Sequence, residues 1–381
     1  MSHLACHLCG AEALDVVTGY ERFRRVTSDC RPWPAGGRLA SCATCGTAQA
    51  VVDAAWRSDA DAIYAGYSIY QQADGAEQAV FDRETGEATR RSTRLVQRLI
   101  AHADLPPKGR LLDIGCGNGA FLRAFSDAMP AWSLLGSEVN DRYRSVIEAI
   151  DGVERLHTGR LEEISGPFDV IVMVHVLEHV ASPGRLLEDL RSKLAPAGAL
   201  VIQVPDRTQN PFEILIADHA THFSAGTLRS LVERAGFETS VVATDWVAKE
   251  VSLVSRPGGS PAPEAGERAS GLAGCIANLR WLQALIDRGR EIADRGGTFG
   301  LFGSSIAATW LAAELEGQVA FFVDEDPARR GHRHLGRPIH GPSDVPVGAQ
   351  VLLALPDAVA AYVGARLRGS YTHFSAHAPA G

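Results

Sequence analysis

Arg110-Leu-Leu-Asp113-Ile-Gly115-Cys-Gly117-Asn-Gly119-Ala-Phe121 joins a short apolar run to three alternating glycines and then to a segment of helical character. The run reads as a strand, and the glycines as a turn in which the backbone bends tightly and approaches a ligand with no Cβ in the way. The helix that follows points its first amides at that ligand. A dinucleotide fingerprint is spaced G-x-G-x-x-G and holds phosphates at the helix start. This loop is spaced G-x-G-x-G instead and places an acid, Asp113, two residues before the first glycine. A carboxylate there opposes a pyrophosphate and suits a cofactor with a positive charge and an amine; S-adenosylmethionine has both.

Apolar runs alternating with amphipathic stretches continue outward from this loop, from about 92 to 255, the pattern of a sheet sandwiched by helices. Strands are expected at 110–115, 134–138, 153–157, 169–175 and 198–204, with a final pair near 238–254. Ligands of such sheets bind at the carboxyl ends of the strands, so the residues just past each strand matter most. Glu138 follows the second strand, about 20–25 residues beyond the glycines, where an acid can accept both hydrogen bonds of a ribose diol. His175, Glu178 and His179 follow the fourth, as His-Val-Leu-Glu-His. The string matches the H-x-x-E-H pattern of inverted zinc proteases, yet it starts at the end of a β-branched run, whereas the metal geometry needs an established helix. The protease reading is set aside on that ground. After the fifth strand comes Ile216-Ala-Asp218-His219-Ala-Thr-His222-Phe-Ser224. Two histidines on the edge that carries a cofactor loop invite a general base, and a neighbouring carboxylate can orient it.

Toward the N-terminus stand two Cys-x-x-Cys pairs, Cys6/Cys9 and Cys42/Cys45, each followed by glycine. With no export signal the cytoplasm is the expected compartment, and in a reducing compartment such pairs read as a metal site. Two knuckles complete a tetrahedral zinc site held by all four cysteines; the loop between them is long, and Cys30 or His7 could compete as ligand. Cys116 and Cys275 read as small buried residues. The composition is that of an ordinary globular protein, 46% hydrophobic and 22% charged. A net charge of −8 and the lack of a Lys/Arg run speak against nucleic acid or an anionic membrane as partner.

Toward the C-terminus, residues 256–271 concentrate Pro, Gly and Ser and read as a linker. A helix follows over 272–295, ended by Gly296-Gly297. A second glycine loop, Gly300-Leu-Phe-Gly303-Ser304-Ser305, then opens a strand–helix–strand pattern that reaches Asp324 and Asp326. Alone it is only part of a nucleotide fingerprint.

The Leu-Asp-Ile-Gly-Cys-Gly-Asn-Gly loop, Glu138 and the segment Phe168-Asp-Val-Ile to His179-Val resemble class I S-adenosylmethionine-dependent methyltransferases. With the cysteine pairs and the C-terminal pattern, nearly the whole chain is similar to the deoxysugar-nucleotide C-methyltransferases, which methylate a keto sugar on a nucleoside diphosphate. The resemblance implies an α/β fold with a class I methyltransferase Rossmann-like sheet, a small N-terminal zinc-binding module and a C-terminal Rossmann-like domain. The corresponding boundaries are 1–55, 56–255, a linker 256–271, and 272–381. It also implies S-adenosylmethionine and structural zinc as cofactors and a nucleotide sugar as the small-molecule partner. Asp113, Gly115, Gly117, Gly119 and Glu138 match the cofactor loop and the ribose acid. Arg160 and Leu161 fall where the adenine is flanked, and His175, Glu178 and His179 beneath the methionine end.

The same resemblance makes His219 the base and Asp218 its acidic neighbour, within a stretch that usually reads Glu-His-x-x-Tyr-Phe-Ser. Here Asp218 and His222 replace the Glu and the Tyr, and His222 is a second candidate. Tyr67 and Tyr70 match a segment that folds over the cofactor and shapes the acceptor pocket; their spacing also suits a helical face packed between two modules. Three other readings remain: O-methylation of a polysaccharide sugar or natural product, a zinc-containing nucleic-acid-binding protein, and a nicotinamide oxidoreductase built on one of the glycine loops.

Overall fold

In a computed structural model of the chain, residues 5–68, 77, 79–81, 88–259 and 271–379 are described. Strand Arg110–Ile114 forms as expected, and its neighbours in sequence take opposite faces. Leu111, Val170, Val172 and Val201 pack on one side against Leu95 and Leu99 of helix Arg91–His102 and against Phe121 and Phe125 of helix Ala120–Ala128. Leu112, Ile171, Met173, Leu200 and Ile202 pack on the other against Leu187 and Leu190 of helix Pro183–Arg191 and Leu228 and Leu231 of helix Ala225–Arg234. Apolar residues on both faces are why these strands read as continuous hydrophobic runs.

In space the seven strands run Val153–His157, Ser133–Ser137, Arg110–Ile114, Phe168–Val174, Leu194–Pro205, Glu250–Pro257, Phe237–Ala243. The first five are parallel, and Glu250–Pro257 is antiparallel to both of its neighbours. The chain order reverses between Arg110–Ile114 and Phe168–Val174, so the glycine loop and the His175–His179 segment emerge side by side at the carboxyl edge.

The N-terminal residues form a small antiparallel sheet of Leu14–Val16, Leu39–Cys42 and Ala48–Ala50. Its fourth strand is Thr221–His222, contributed by the connection between strand Leu194–Pro205 and helix Ala225–Arg234. Helix Ala54–Ala65 follows, with Asp53 accepting a hydrogen bond from the Trp56 amide at its N-cap.

The expected C-terminal helix spans Gly271–Asp294. Beyond it lies a six-stranded sheet in the order Arg333–His334, Arg337–His340, Phe321–Val323, Phe299–Phe302, Gln350–Leu353, Ser375–His377. It is parallel except for the first pair. Most of the expected linker, 260–270, lies outside the described residues. One apolar core joins the parts. Phe23 and Val26, Phe212 and Ile214, Leu279 and Leu282, and Trp310 and Leu352 are buried together, and the Trp310 ring lies 6.4 Å from that of Phe23 and 5.9 Å from that of Phe212. Among the described residues no helix is long and apolar enough to cross a membrane.

Candidate functional site

Gly115, Gly117 and Gly119 adopt φ of 68°, 55° and 80°, left-handed values that an L side chain resists. A Cβ on Gly115 would stand 2.4 Å from Val176 Cγ2, so the loop needs glycine there both for conformation and for space. Glu138, half-buried at the end of the neighbouring strand, accepts the Gly117 amide at 2.9 Å and the Val139 amide at 2.7 Å. Asp113 is fully buried, and its Oδ2 has no hydrogen-bond partner. Burial, aided by the negative charge of Glu138, pushes its carboxyl well above the ordinary range. An orphaned buried acid beside three cradle glycines fits a ligand that brings its own donors and positive charge. Of the expected adenine-flanking pair, Leu161 opens the single turn Leu161–Glu163 and packs against the core, whereas Arg160 lies in solvent beside Glu162.

At the end of strand Phe168–Val174, His175 takes a left-handed φ of 55°. Its Nδ1 lies 3.1 Å from Glu178 Oε1 and its Nε2 3.1 Å from Glu250 Oε1. Burial disfavours the imidazolium, but the two carboxylates outweigh it and raise His175 to about 9. Both ring nitrogens are thus engaged by acids, and Leu177–His179 is one 3-10 turn, so His175 and His179 do not share a helix as a protease zinc site requires.

His179 turns to the segment 218–219. Its Nδ1 is 3.1 Å from the Asp218 carbonyl oxygen, and its ring meets that of His219 edge to face at 4.6 Å. Burial and the charge of His219 lower its pKa, so it stays neutral. His219 and His222 are both buried, and both point Nδ1 at one oxygen of Glu213, at 3.0 and 3.2 Å. Burial opposes charge on Glu213 and on His219. The His219 and His222 charges nevertheless hold Glu213 down to about 2, and Glu213 raises His219 above the ordinary imidazole value.

The expected pairing of Asp218 with His219 is corrected by this geometry. Asp218 accepts the Ser28 amide at 2.9 Å and the Ser28 hydroxyl at 2.5 Å, with His179 at 3.4 Å, while the carboxylate at His219 Nδ1 is that of Glu213. Glu213, His219 and His222 also bring ligand-type atoms within 4.8 Å of one another, as do Glu178, His179 and His219. Tyr64, the first of the aromatics spaced three apart with Tyr67 and Tyr70, places its ring 6.0 Å from His179 and 5.9 Å from Tyr67, whose carbonyl accepts Arg142 Nη1. Tyr70 lies outside the described residues.

Cys6, Cys9, Cys42 and Cys45 converge, with Sγ–Sγ distances of 3.5 Å for Cys6–Cys45 and 3.6 Å for Cys9–Cys42. A tetrahedron of thiolates about 2.3 Å from a zinc ion has edges of about 3.8 Å, so the four fit the metal. In each knuckle the glycine amide closes on the first cysteine, Gly10 N to Cys6 O at 2.9 Å and Gly46 N to Cys42 O at 2.8 Å. His7 is turned away, its Nδ1 2.8 Å from Thr221 Oγ1, and Cys30 lies outside the cluster. Cys116 and Cys275 are buried, as expected.

Residues 85–242 match a family described as "Methyltransferase domain". Among curated proteins, a ubiquinone biosynthesis O-methyltransferase of Caulobacter sp. (strain K31) is 36% identical over 105 residues, which are 26% of this chain and 42% of that protein. A trans-aconitate 2-methyltransferase of Variovorax paradoxus (strain S110) is 29% identical over 128 residues, 31% of this chain and 47% of that protein. The chain thus spans less than half the length of these relatives. Among solved structures, an S-adenosylmethionine-dependent methyltransferase from Clostridium acetobutylicum ATCC 824 is similar with a TM-score of 0.38 and 10% identity, over 54% of this chain and 98% of that one. With this strand order, this glycine loop and these relatives, residues 85–242 are a class I S-adenosylmethionine-dependent methyltransferase domain.

Proposed function

We propose that the whole chain is a C-methyltransferase of a nucleotide-linked keto sugar, with His219 as general base. The observation that carries the reading is the pair His219 and Glu213, both buried at the carboxyl edge with Nδ1 3.0 Å from the carboxylate. Glu213 fixes the tautomer: Nδ1–H donates to the carboxylate, which leaves Nε2 with the basic lone pair. That nitrogen takes the proton from a carbon beside the substrate carbonyl, and the electron pair left behind forms the new carbon–carbon bond. S-Adenosylmethionine supplies the electrophilic methyl, and its sulfur leaves with the electrons of the broken bond.

Gly115, Gly117 and Gly119 would let the backbone approach the cofactor, Glu138, which now accepts the Gly117 amide, would accept from a ribose diol, and Asp113 would take a donor from the methionine end. Tyr64 and Tyr67 shelter the same edge from water. Zinc on the four cysteines is structural, since four thiolates leave no open coordination position. The nucleotide-sugar assignment is supported by the three-part organisation and by the second glycine loop, where Ser304 donates to Asp324 at 2.6 Å.

Incubation with keto-sugar nucleotides in heavy water without cofactor should carry deuterium into the carbon beside the carbonyl, and cofactor should then add a methyl at that carbon. The relatives named as O-methyltransferases favour a second reading, O-methylation. A methyl ether product with no prior exchange would establish it in place of C-methylation.

A further inference from the structure

The segment that carries His219 is anchored, residue after residue, to the N-terminal module. Ala217 donates its amide to the Val26 carbonyl at 2.8 Å, and Ser28 holds the Asp218 carboxylate through its amide and hydroxyl. The Ala50 amide donates to the Ala220 carbonyl at 2.9 Å. Thr221 pairs with Gln49 and His222 with Ala48, and His7 holds the Thr221 hydroxyl. From the turn that follows strand Phe168–Val174 the backbone of 217–222 receives two ties among the described residues: the Ala220 amide donates to the Glu178 carbonyl at 2.7 Å, and His179 Nδ1 lies 3.1 Å from the Asp218 carbonyl oxygen.

The two cysteine knuckles lie directly behind these anchors. One carries His7 between Cys6 and Cys9, and its amide is accepted by the Gln49 side chain at 2.9 Å. The other is the turn of the hairpin Leu39–Cys42 and Ala48–Ala50, whose outer strand is the partner of Thr221–His222. Strands of two to four residues hold their register weakly by themselves, and a metal on the four cysteines would pin the hairpin turn that the shared apolar core leaves at its edge.

Building on the reading of His219 as base, we propose that the four-cysteine metal site positions the acceptor-side histidines. Through the hairpin and His7, the metal fixes the strand Thr221–His222 and so holds His219 and His222 on Glu213. The knuckles then act as part of the catalytic edge, and Thr221 and His7 are positioning residues that touch neither cofactor nor acceptor.

Hydrogen exchange on the full chain tests this without any acceptor, so it stands or falls independently of whether a sugar is methylated. The chain as purified is expected to hold one zinc. Stripping it with a chelator is expected to speed exchange at 216–222 about ten-fold or more, while 110–114 and 168–174 keep their protection and S-adenosylhomocysteine binds within about two-fold of its original affinity. In histidine-labelled protein, the Nδ1–H signals of His219 and His222 should broaden on zinc removal. They should also broaden in Thr221→Val, which keeps its zinc, and return in Thr221→Ser, which restores the hydroxyl. Unchanged protection of 216–222 in the zinc-free chain would overturn the proposal. So would equal loss of protection across the central strands, intact histidine signals without zinc, or a chain that binds no zinc.

Discussion

At the residue scale, the acceptor side turns on a carboxylate that sequence adjacency conceals. Asp218 and His219 are neighbours, but they lie on a turn in which the His219 amide bonds back to the Ile216 carbonyl at 3.3 Å, and the Asp218 carboxylate is taken by Ser28 rather than by the histidine beside it. Glu213 reaches His219 because a single turn at Glu213–Leu215 folds the chain back. The signal was one acid inside the apolar run Phe212-Glu-Ile-Leu-Ile216, and only burial reveals its meaning. Loss of that charge has a definite sign. Burial lowers the His219 pKa, and Glu213→Gln removes the strongest of the carboxylates that oppose it, leaving Glu178 and Asp218, so the His219 pKa falls below its present raised value. The ascending limb of the rate against pH is expected to move to lower pH, with kcat at its plateau reduced about 10²-fold for a lost general-base orienter. Pre-steady-state rates across the pH range read both effects.

His175 gives a stability prediction of the opposite kind. Its folded pKa, raised to about 9, exceeds the unfolded value near 6.5, so its contribution is complete below about 6.5 and is lost as pH rises through about 9. The melting temperature should decline across that window, and Glu250→Gln should flatten the decline. Thermal melts of both proteins at matched ionic strength measure it.

At the scale of elements, the central strands were legible because buried parallel strands announce themselves as β-branched runs between glycine turns. Phe168–Val174 lies within one residue of its expected bounds. The strand Thr221–His222 was not legible, since it is two residues long and owes its existence to a hairpin more than a hundred and fifty positions earlier. The glycine loop was legible as a tight turn, its three glycines taking positive φ, yet its packing against Val176 was hidden for the same reason. Gly115→Ala should therefore cost about 1–2 kcal/mol for the left-handed backbone alone, with the contact at Val176 added. S-Adenosylhomocysteine affinity should fall at least about ten-fold, which titration calorimetry would show beside a lowered melting temperature.

At the scale of the molecule, composition separated three regions, but the buried core does not follow that separation. Residues of the N-terminal module, of the 212–216 segment, of helix Gly271–Asp294 and of the C-terminal sheet share one apolar cluster, with Trp310 at its junction. Trp310→Ala is expected to remove about 3–5 kcal/mol. Because that side chain faces Phe23 and Phe212 as well as its own sheet, the loss should lower the unfolding of the N-terminal and C-terminal parts together. Calorimetry with a probe in each part would record one shifted transition; a shift confined to the C-terminal part would contradict the shared core. Side-chain periodicity within a helix announces that a face is buried but not against what, which is why this junction could not be read beforehand.

The strand pairing that completes the N-terminal sheet also sets an order of events during synthesis. The hairpin Leu39–Cys42 and Ala48–Ala50 leaves the ribosome early, while its last partner, Thr221–His222, is translated only after most of the central sheet. Until then the edge of Ala48–Ala50 is an open template for another chain. A nascent or truncated chain that stops short of residue 221 should therefore associate through that edge, and release from it comes when the acceptor-side segment arrives to zip it closed.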